Sequence, residues 1–214
     1  MTDVKSPMLH IDEQINALCA RSGRDPQSVQ LLAVSKTRTA DELAQLADQG
    51  QRHFGENYLQ EALDKIVALQ GRGLVWHFIG PIQSNKTRDI ARRLSEQRGP
   101  DLPPLNVCIQ VNVDDEASKS GVPLAGVAEL AEQIEALPNL RLRGLMAIPR
   151  ADNDDGNRAA FRQLAMTLSQ LRNTMPALDT LSMGMSADYA AAIEEGATLI
   201  RLGTALFGPR PPKA

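Results

Sequence analysis

Leu31–Lys36 reads LLAVSK, a run of apolar and small residues of strand length that closes on a single amine. Such a run predicts a buried strand that delivers Lys36 to the carboxyl end of a sheet, the edge where α/β proteins place their chemistry. Taken alone, a lysine at a strand end is usually a solvated charge. The rest of the chain is needed to weigh the two readings.

Working outward, Thr39 is a predicted N-cap for a helix over ADELAQLADQ that Gly50 ends. Upstream, Leu9, Ile15, Leu18 and Cys19 recur at helical spacing within Met8–Arg21, and Gly23 stops that helix. Downstream, further strands are predicted in RHFGEN, at Leu74–Gly80 (LVWHFIG), Leu105–Asn112, Leu140–Pro149, Thr180–Gly184 and Leu199–Phe207. Helices are predicted at Tyr58–Gln70, from near Asn85, over LAGVAELAEQIEAL, at Asn157–Met175 and in ADYAAAIEEG. In the Tyr58–Gln70 helix, Leu59, Leu63, Ile66, Val67 and Leu69 form the expected inner stripe. From Asp89 to Pro104 the residues are those of helix and turn, with no strand. The loops DDEASKSG and ADNDDG are polar.

Strand and helix alternate along nearly the whole chain, and helix-length connections require parallel strands joined by right-handed crossovers. At this length a (β/α) barrel is the leading architecture and an open doubly wound sheet the second. No GxGxxG follows the first strand, which removes the main support for the dinucleotide-binding version of the open sheet. One domain over residues 1–214 is expected.

The chain has 214 residues, 43% hydrophobic and 23% charged, with a formal net charge of −3. No broad basic face is therefore offered to nucleic acid or anionic lipid. The N-terminal MTDVKSPMLHIDEQ has no apolar run of signal-peptide length, and no window approaches a membrane span. A cytoplasmic protein that binds neither nucleic acid nor membrane is expected. Cys19 and Cys108 lack metal-ligand spacing and are read as small core residues.

With parallel strands, the carboxyl ends converge on one face. There the sequence places Lys36, Gly55–Asn57, His77, Asn112, Met146 with Pro149, Ser182–Ser186, and Arg201 with Gly203 and Thr204. In SMGMSADYA, Gly184 and Ser186 lie where a strand turns into a helix, and in LGTALFG, Gly203 and Thr204 follow the last strand. Backbone amides at such turns suit a phosphate, which in barrels commonly sits after the last two strands. Either loop alone is as well explained by a helix cap or an eased turn. A desolvated lysine amine becomes a nucleophile, so Lys36 opposite a phosphate site points to an aldehyde cofactor held as a Schiff base. Pyridoxal 5′-phosphate fits that description. Arg201 then reaches the pyridine nitrogen or forms an ordinary salt bridge. His77 packs in its apolar strand or serves as a base. Glu56 and Asn57 orient the site or cap the next helix, and packing is the default role for Tyr58 and Tyr189.

LLAVSKTR, HFGENYLQEALDK, WHFIGPIQSNK, SKSGV, LRLRGLMAIP and LSMGMSADYAAAIEEGATLIRLGTALFG together closely resemble the pyridoxal phosphate homeostasis proteins, the YggS/PROSC family. The resemblance covers almost the whole chain. It implies a (β/α)8 TIM-type barrel, alanine racemase N-terminal-like, with the cofactor on Lys36. Ser186, Gly203 and Thr204 match the phosphate-binding positions, Arg201 the arginine at the pyridine nitrogen, and Asn57 and His77 lie in motifs lining the pocket. Buffering or delivery of the cofactor without established turnover is implied, with apo-enzymes as receiving partners and a monomeric state.

One departure stands out. Seven strands are read here, whereas the family has roughly one further βα unit between the SNK and LPPLNV motifs, so one unit is expected to be missing, between about Asp89 and Ser95. Two other functions remain in view: a small racemase or decarboxylase using the same cofactor, and a phosphosugar-binding barrel in which Lys36 is an ordinary amine.

Overall fold

A computed structural model of the chain describes residues 6–80, 87–99, 101–114, 120–150 and 157–209. In chain order its elements begin with α1 (Pro7–Arg21), β1 (Gln30–Val34), α2 (Ala40–Asp48), β2 (His53–Glu56), α3 (Leu59–Ala68) and β3 (Val75–Phe78). They continue with α4 (Thr87–Gln97), β4 (Leu105–Asn112), β5 (Val122–Pro123), α5 (Val127–Glu135), β6 (Leu140–Met146) and α6 (Arg158–Leu171). The last are β7 (Thr180–Ser182), α7 (Tyr189–Glu194), β8 (Leu199–Leu202) and α8 (Thr204–Phe207). Two compact units divide the chain: one comprises Met1–Pro81, Gly184–Glu194 and Leu199–Ala214, the other Ile82–Met183 and Glu195–Thr198.

In the first unit the strand order is β3-β2-β1-β8, every pairing parallel, as the alternation of elements requires. The β1–β8 register sets Leu32 opposite Arg201, and the β2–β3 register sets Gly55 opposite His77. Side chains alternate along a strand, so Leu32 and Val34 share their face with Arg201, and Lys36 leaves β1 in the same sense. Helix α1 starts where the Ser6 side chain accepts from the Leu9 N–H and Pro7 supplies a helix-ready φ. It buries Met8, Ile11, Ile15, Leu18 and Cys19. Helix α2 opens on a capping box, Thr39 and Glu42 each bonding the other's backbone N–H, and buries Leu43, Leu46 and Ala47.

Helix α3 departs from the expected stripe. Leu59, Leu63, Ile66 and Val67 are exposed, and the helix buries Ala62 and Lys65, with Leu69 just beyond it also buried. The reason is chemical: Lys65 finds the Glu56 carboxylate and the Ser35 carbonyl beneath the helix, so a charged residue occupies the inner face. Tyr58, expected to pack, is 57% exposed before the first turn of α3.

The second unit has the order β7-β6-β4-β5, again with parallel pairings. Its core is Ile109, Val111, Leu142 and Leu145 from the strands, Leu130 and Ile134 from α5, and Phe161, Leu164 and Leu168 from α6. The two-residue β5 brings the strands to eight among the described residues, against the seven expected from the sequence, because a polar loop gives no apolar run to announce it. Cys108, read as a core residue, is exposed next to a register shift in β4, whereas Cys19 is fully buried as expected.

Asp89–Ser95 lies inside α4, and β4 follows with no strand between them among the described residues, as read from the sequence. The segment expected as a strand over Leu199–Phe207 breaks at Gly203, and Thr204–Phe207 is helical. The expected helix start near Asn85, the SNK motif, part of SKSGV and the ADNDDG loop lie outside the described residues. Among the described residues, no helix is long and apolar enough to cross a membrane.

Candidate functional site

The first unit holds a cleft of about 320 Å³ lined by Val34, Lys36, Arg38, Met185, Ser186, Ala187, Arg201, Gly203 and Thr204. Five of the seven residues that the resemblance matches to the cofactor thus meet in one place: Lys36, Ser186, Arg201, Gly203 and Thr204. Asn57 and His77 are not among the lining residues.

Lys36 follows β1 in a turn and is half-buried. Arg201 is buried on β8, and its backbone N–H donates to the Gly184 carbonyl at 3.0 Å, joining the strand to the loop that carries Ser186. That loop needs its glycine: Gly184 has φ +93°, and a Cβ there would stand 2.6 Å from the Ala192 Cβ and 3.0 Å from the Tyr189 Cα. Asp188 closes the loop by accepting from the Met185 N–H at 2.7 Å. The backbone N–H groups of Ser186 and Ala187 meet no acceptor within the described residues. Thr204 and Ala205 begin α8, where first-turn N–H groups have no intrahelical acceptor.

Among the described residues, three cations and no carboxylate line the cleft. With two hydroxyls and unclaimed backbone donors added, it suits an anion. An amine in the same cleft adds a nucleophile for an electrophilic carbon. Arg38 was not anticipated. Its guanidinium bonds Glu42 and the Gly208 and Pro209 carbonyls and lies over the Phe207 ring, so it anchors the segment after α8 beside the cleft. Arginine after the LLAVSK strand was the available signal.

A second set of groups holds the turn at Lys36 from beneath. Lys65 Nζ, 5% exposed, donates to the Ser35 carbonyl at 2.7 Å, to Glu56 Oε1 at 2.7 Å and to Glu61 Oε1 at 2.6 Å. Ser35 Oγ donates to Glu56 Oε1 at 2.5 Å, and the Thr37 N–H to Glu61 Oε1 at 2.5 Å. Glu56, which the sequence assigns either to orienting the site or to capping the next helix, is ion-paired with Lys65.

His77 bonds His53: its Nε2 stands 2.9 Å from His53 Nδ1, and burial, then the neighbouring ring, lowers its pKa from 6.5 to about 4. Asn57 sits after β2 with its backbone carbonyl against Gly80, where a Cβ would stand 2.4 Å from that oxygen. Tyr189 donates from its hydroxyl to Gln14 Oε1 at 2.5 Å, a packing role as expected.

Comparison with known proteins places these features in a family. A family model described as "Alanine racemase, N-terminal domain" matches residues 9–211. The chain is 51% identical over 226 positions to a "Pyridoxal phosphate homeostasis protein" of Pseudomonas aeruginosa, covering 98% of this chain and 97% of that protein. It is 47% identical over 229 positions to the Escherichia coli K12 protein of the same name, covering 98% of each. Among solved structures it is similar to PipY of Synechococcus elongatus with pyridoxal phosphate bound, at 34% identity and a TM-score of 0.75, covering 91% of this chain and 99% of that one. Since 98% of 214 residues is about 210, the E. coli alignment includes about 19 positions at which this chain has no residue, in keeping with a shortened interior. Parallel strands linked by helices and a match over almost its whole length show that the chain belongs to the alanine racemase N-terminal-domain family of (β/α) barrels, and within it to the pyridoxal phosphate homeostasis proteins.

Proposed function

We propose that this chain, acting as a single domain, binds pyridoxal 5′-phosphate and serves its intracellular homeostasis by buffering or delivering it. The observation that carries the reading is the meeting of the Lys36 amine with Ser186, Arg201, Gly203 and Thr204 around one cleft. An amine, a guanidinium, hydroxyls and backbone donors fit an aldehyde that also carries a phosphate. When bound, the cofactor supplies an aldehyde that condenses reversibly with amines. In this reading Lys36 holds the aldehyde carbon covalently. Ser186, Thr204 and the backbone at Gly203 bind the phosphate, and the Arg201 guanidinium faces the ring nitrogen. The names of the relatives, and the bound cofactor in PipY, support it.

The finer reading is a carrier without turnover, working in the cytoplasm as a monomer and passing the cofactor to apo-enzymes. An arginine keeps its proton and withholds it from the ring nitrogen, which weakens the ring as an electron sink. The test is a visible absorption spectrum before and after borohydride, followed by peptide mapping. Borohydride should fix the cofactor to Lys36, and Lys36→Ala should lose the band. An adduct on Lys86 or Lys119, with Lys36→Ala still coloured, overturns the assignment. Amino-acid racemisation should stay near that of free cofactor; turnover well above it that Lys36→Ala abolishes would establish the racemase or decarboxylase alternative instead.

A further inference from the structure

The turn at Lys36 is held by an element that contributes nothing to the cleft lining. The two peptide planes that flank the Lys36 Cα are those containing the Ser35 carbonyl and the Thr37 N–H, and their rotation sets φ and ψ of Lys36. The first plane is bound by Lys65 Nζ at 2.7 Å and the second by Glu61 Oε1 at 2.5 Å. Lys65 and Glu61 are one turn apart on α3 and bond each other at 2.6 Å, so one ion pair grips both planes. Glu56 completes the set beneath, accepting from Lys65 and from the Ser35 hydroxyl.

Two features separate this arrangement from an ordinary surface pair on a helix. Lys65 is 5% and Glu56 1% exposed, a burial that charged residues tolerate only when paired. Thr37 is held at φ +63°, a left-handed conformation sparsely populated by residues other than glycine, and its N–H donates to Glu61. We infer that Glu61, seated by Lys65 and Glu56, is a positioning residue for Lys36: it fixes the backbone from which the Lys36 amine enters the cleft. The inference rests on the reading of Lys36 as the cofactor-holding amine, but the grip itself can be measured without cofactor.

Three variants test it: Glu61→Ala, which removes the acceptor; Glu61→Gln, which keeps an acceptor for the Thr37 N–H; and Lys65→Met, which removes the bond to the Ser35 carbonyl. In the cofactor-free chain, amide exchange at Thr37 should quicken in Glu61→Ala and stay near the parent in Glu61→Gln. In the loaded chain, cofactor release should quicken about tenfold in Glu61→Ala, the scale of one charge-assisted hydrogen bond, with a shifted absorption band. Glu61→Gln should restore both. Lys65→Met should follow Glu61→Ala wherever it folds, and if it does not fold the two Glu61 variants decide.

Parental release and band in Glu61→Ala, with the adduct on Lys36, overturn the inference. So does an equal loss of melting temperature in both Glu61 variants with an unchanged band, since that marks a purely structural role. An adduct on another lysine in the unsubstituted chain defeats the reading of Lys36 and the inference with it, while exchange at Thr37 separately reports whether the grip exists.

Discussion

His53 Nδ1 and His77 Nε2 stand 2.9 Å apart, which makes the two rings one hydrogen-bonded pair rather than two independent imidazoles. Burial opposes a charge on either ring, and a charge on His53 further opposes one on His77. Burial lowers His53 as well as His77, and His77 reaches about 4. The unfolded chain takes up a proton near 6.5 that the folded chain refuses. Stability is therefore fully present above pH 6.5 and falls as the pH drops from 6.5 towards 4, by at most about 1.4 kcal/mol per unit for His77. Denaturant titrations at pH 7 and pH 5 should show a larger drop for the parent chain than for His77→Gln. An equal drop in both would show that this pair does not contribute.

Val67 and Leu69 lie two positions apart at the end of α3 and differ sharply in surroundings, 73% against 7% exposed. Val67→Lys should change stability by less than about 0.5 kcal/mol, as for other open surface sites. Leu69→Ala should cost about 2 to 3 kcal/mol through lost burial and the cavity left behind. A severe loss in Val67→Lys would mean that the exposed face of α3 is covered in solution.

Thr39 and Glu42 close the start of α2, immediately after the cleft's Arg38, with Thr39 N–H to Glu42 Oε2 at 2.7 Å and Glu42 N–H to Thr39 Oγ1 at 3.3 Å. Removing the side-chain acceptor exposes an unsatisfied first-turn donor. Thr39→Ala should cost about 1 kcal/mol, and Thr39→Ser should recover most of it. Thermal melts of the two variants provide the check.

The same residues show what a sequence can and cannot reveal. LLAVSK was legible as a strand because its apolar run is bounded by a helix cap and by turn residues. The five cleft residues were legible because parallel strands send their carboxyl ends to one side. The inner face of α3 was not legible, since four apolar residues at helical spacing outvoted one lysine. Nothing local indicates that Glu56, at the end of a different strand, waits beneath Lys65. Glu61 and Lys65 read as a common i,i+4 pair, and only the fold shows that both reach the backbone around Lys36. Residues Thr204–Phe207 looked like a continuing strand for a related reason: four residues give too little pattern to tell a helical turn from an extended one.

Gly184 offers a test of the loop that carries Ser186. With φ +93° and no room for a Cβ beside Ala192 and Tyr189, Gly184→Ala should destabilise by about 1 to 3 kcal/mol. It should also weaken cofactor retention, because the loop would shift away from the cleft. Gly126→Ala, where a Cβ meets nothing within 4 Å, is the matched control and should be neutral in both measurements. Equal behaviour of the two variants would show that the tight packing at Gly184 is dispensable.

Lys65 and Glu56 form a deeply buried ion pair, with side chains 6% and 2% exposed and 2.7 Å between Nζ and Oε1. Removing the ammonium alone leaves the Glu56 carboxylate buried with only the Ser35 hydroxyl as a donor, and its Oε2 already lacks a hydrogen-bond partner. Lys65→Met should therefore cost about 3 to 5 kcal/mol, the scale seen when one member of a buried pair is deleted. Glu56→Gln keeps an acceptor for Ser35 Oγ and removes the charge, so in the Lys65→Met background it should restore stability rather than reduce it further. The sign follows from desolvation: a neutral amide costs much less to bury than an unpaired carboxylate. Denaturant midpoints of the parent, both single variants and the double variant complete the cycle. Additive losses in the double variant would mean that Glu56 and Lys65 act independently, and would remove the energetic basis for treating them as one seat for Glu61.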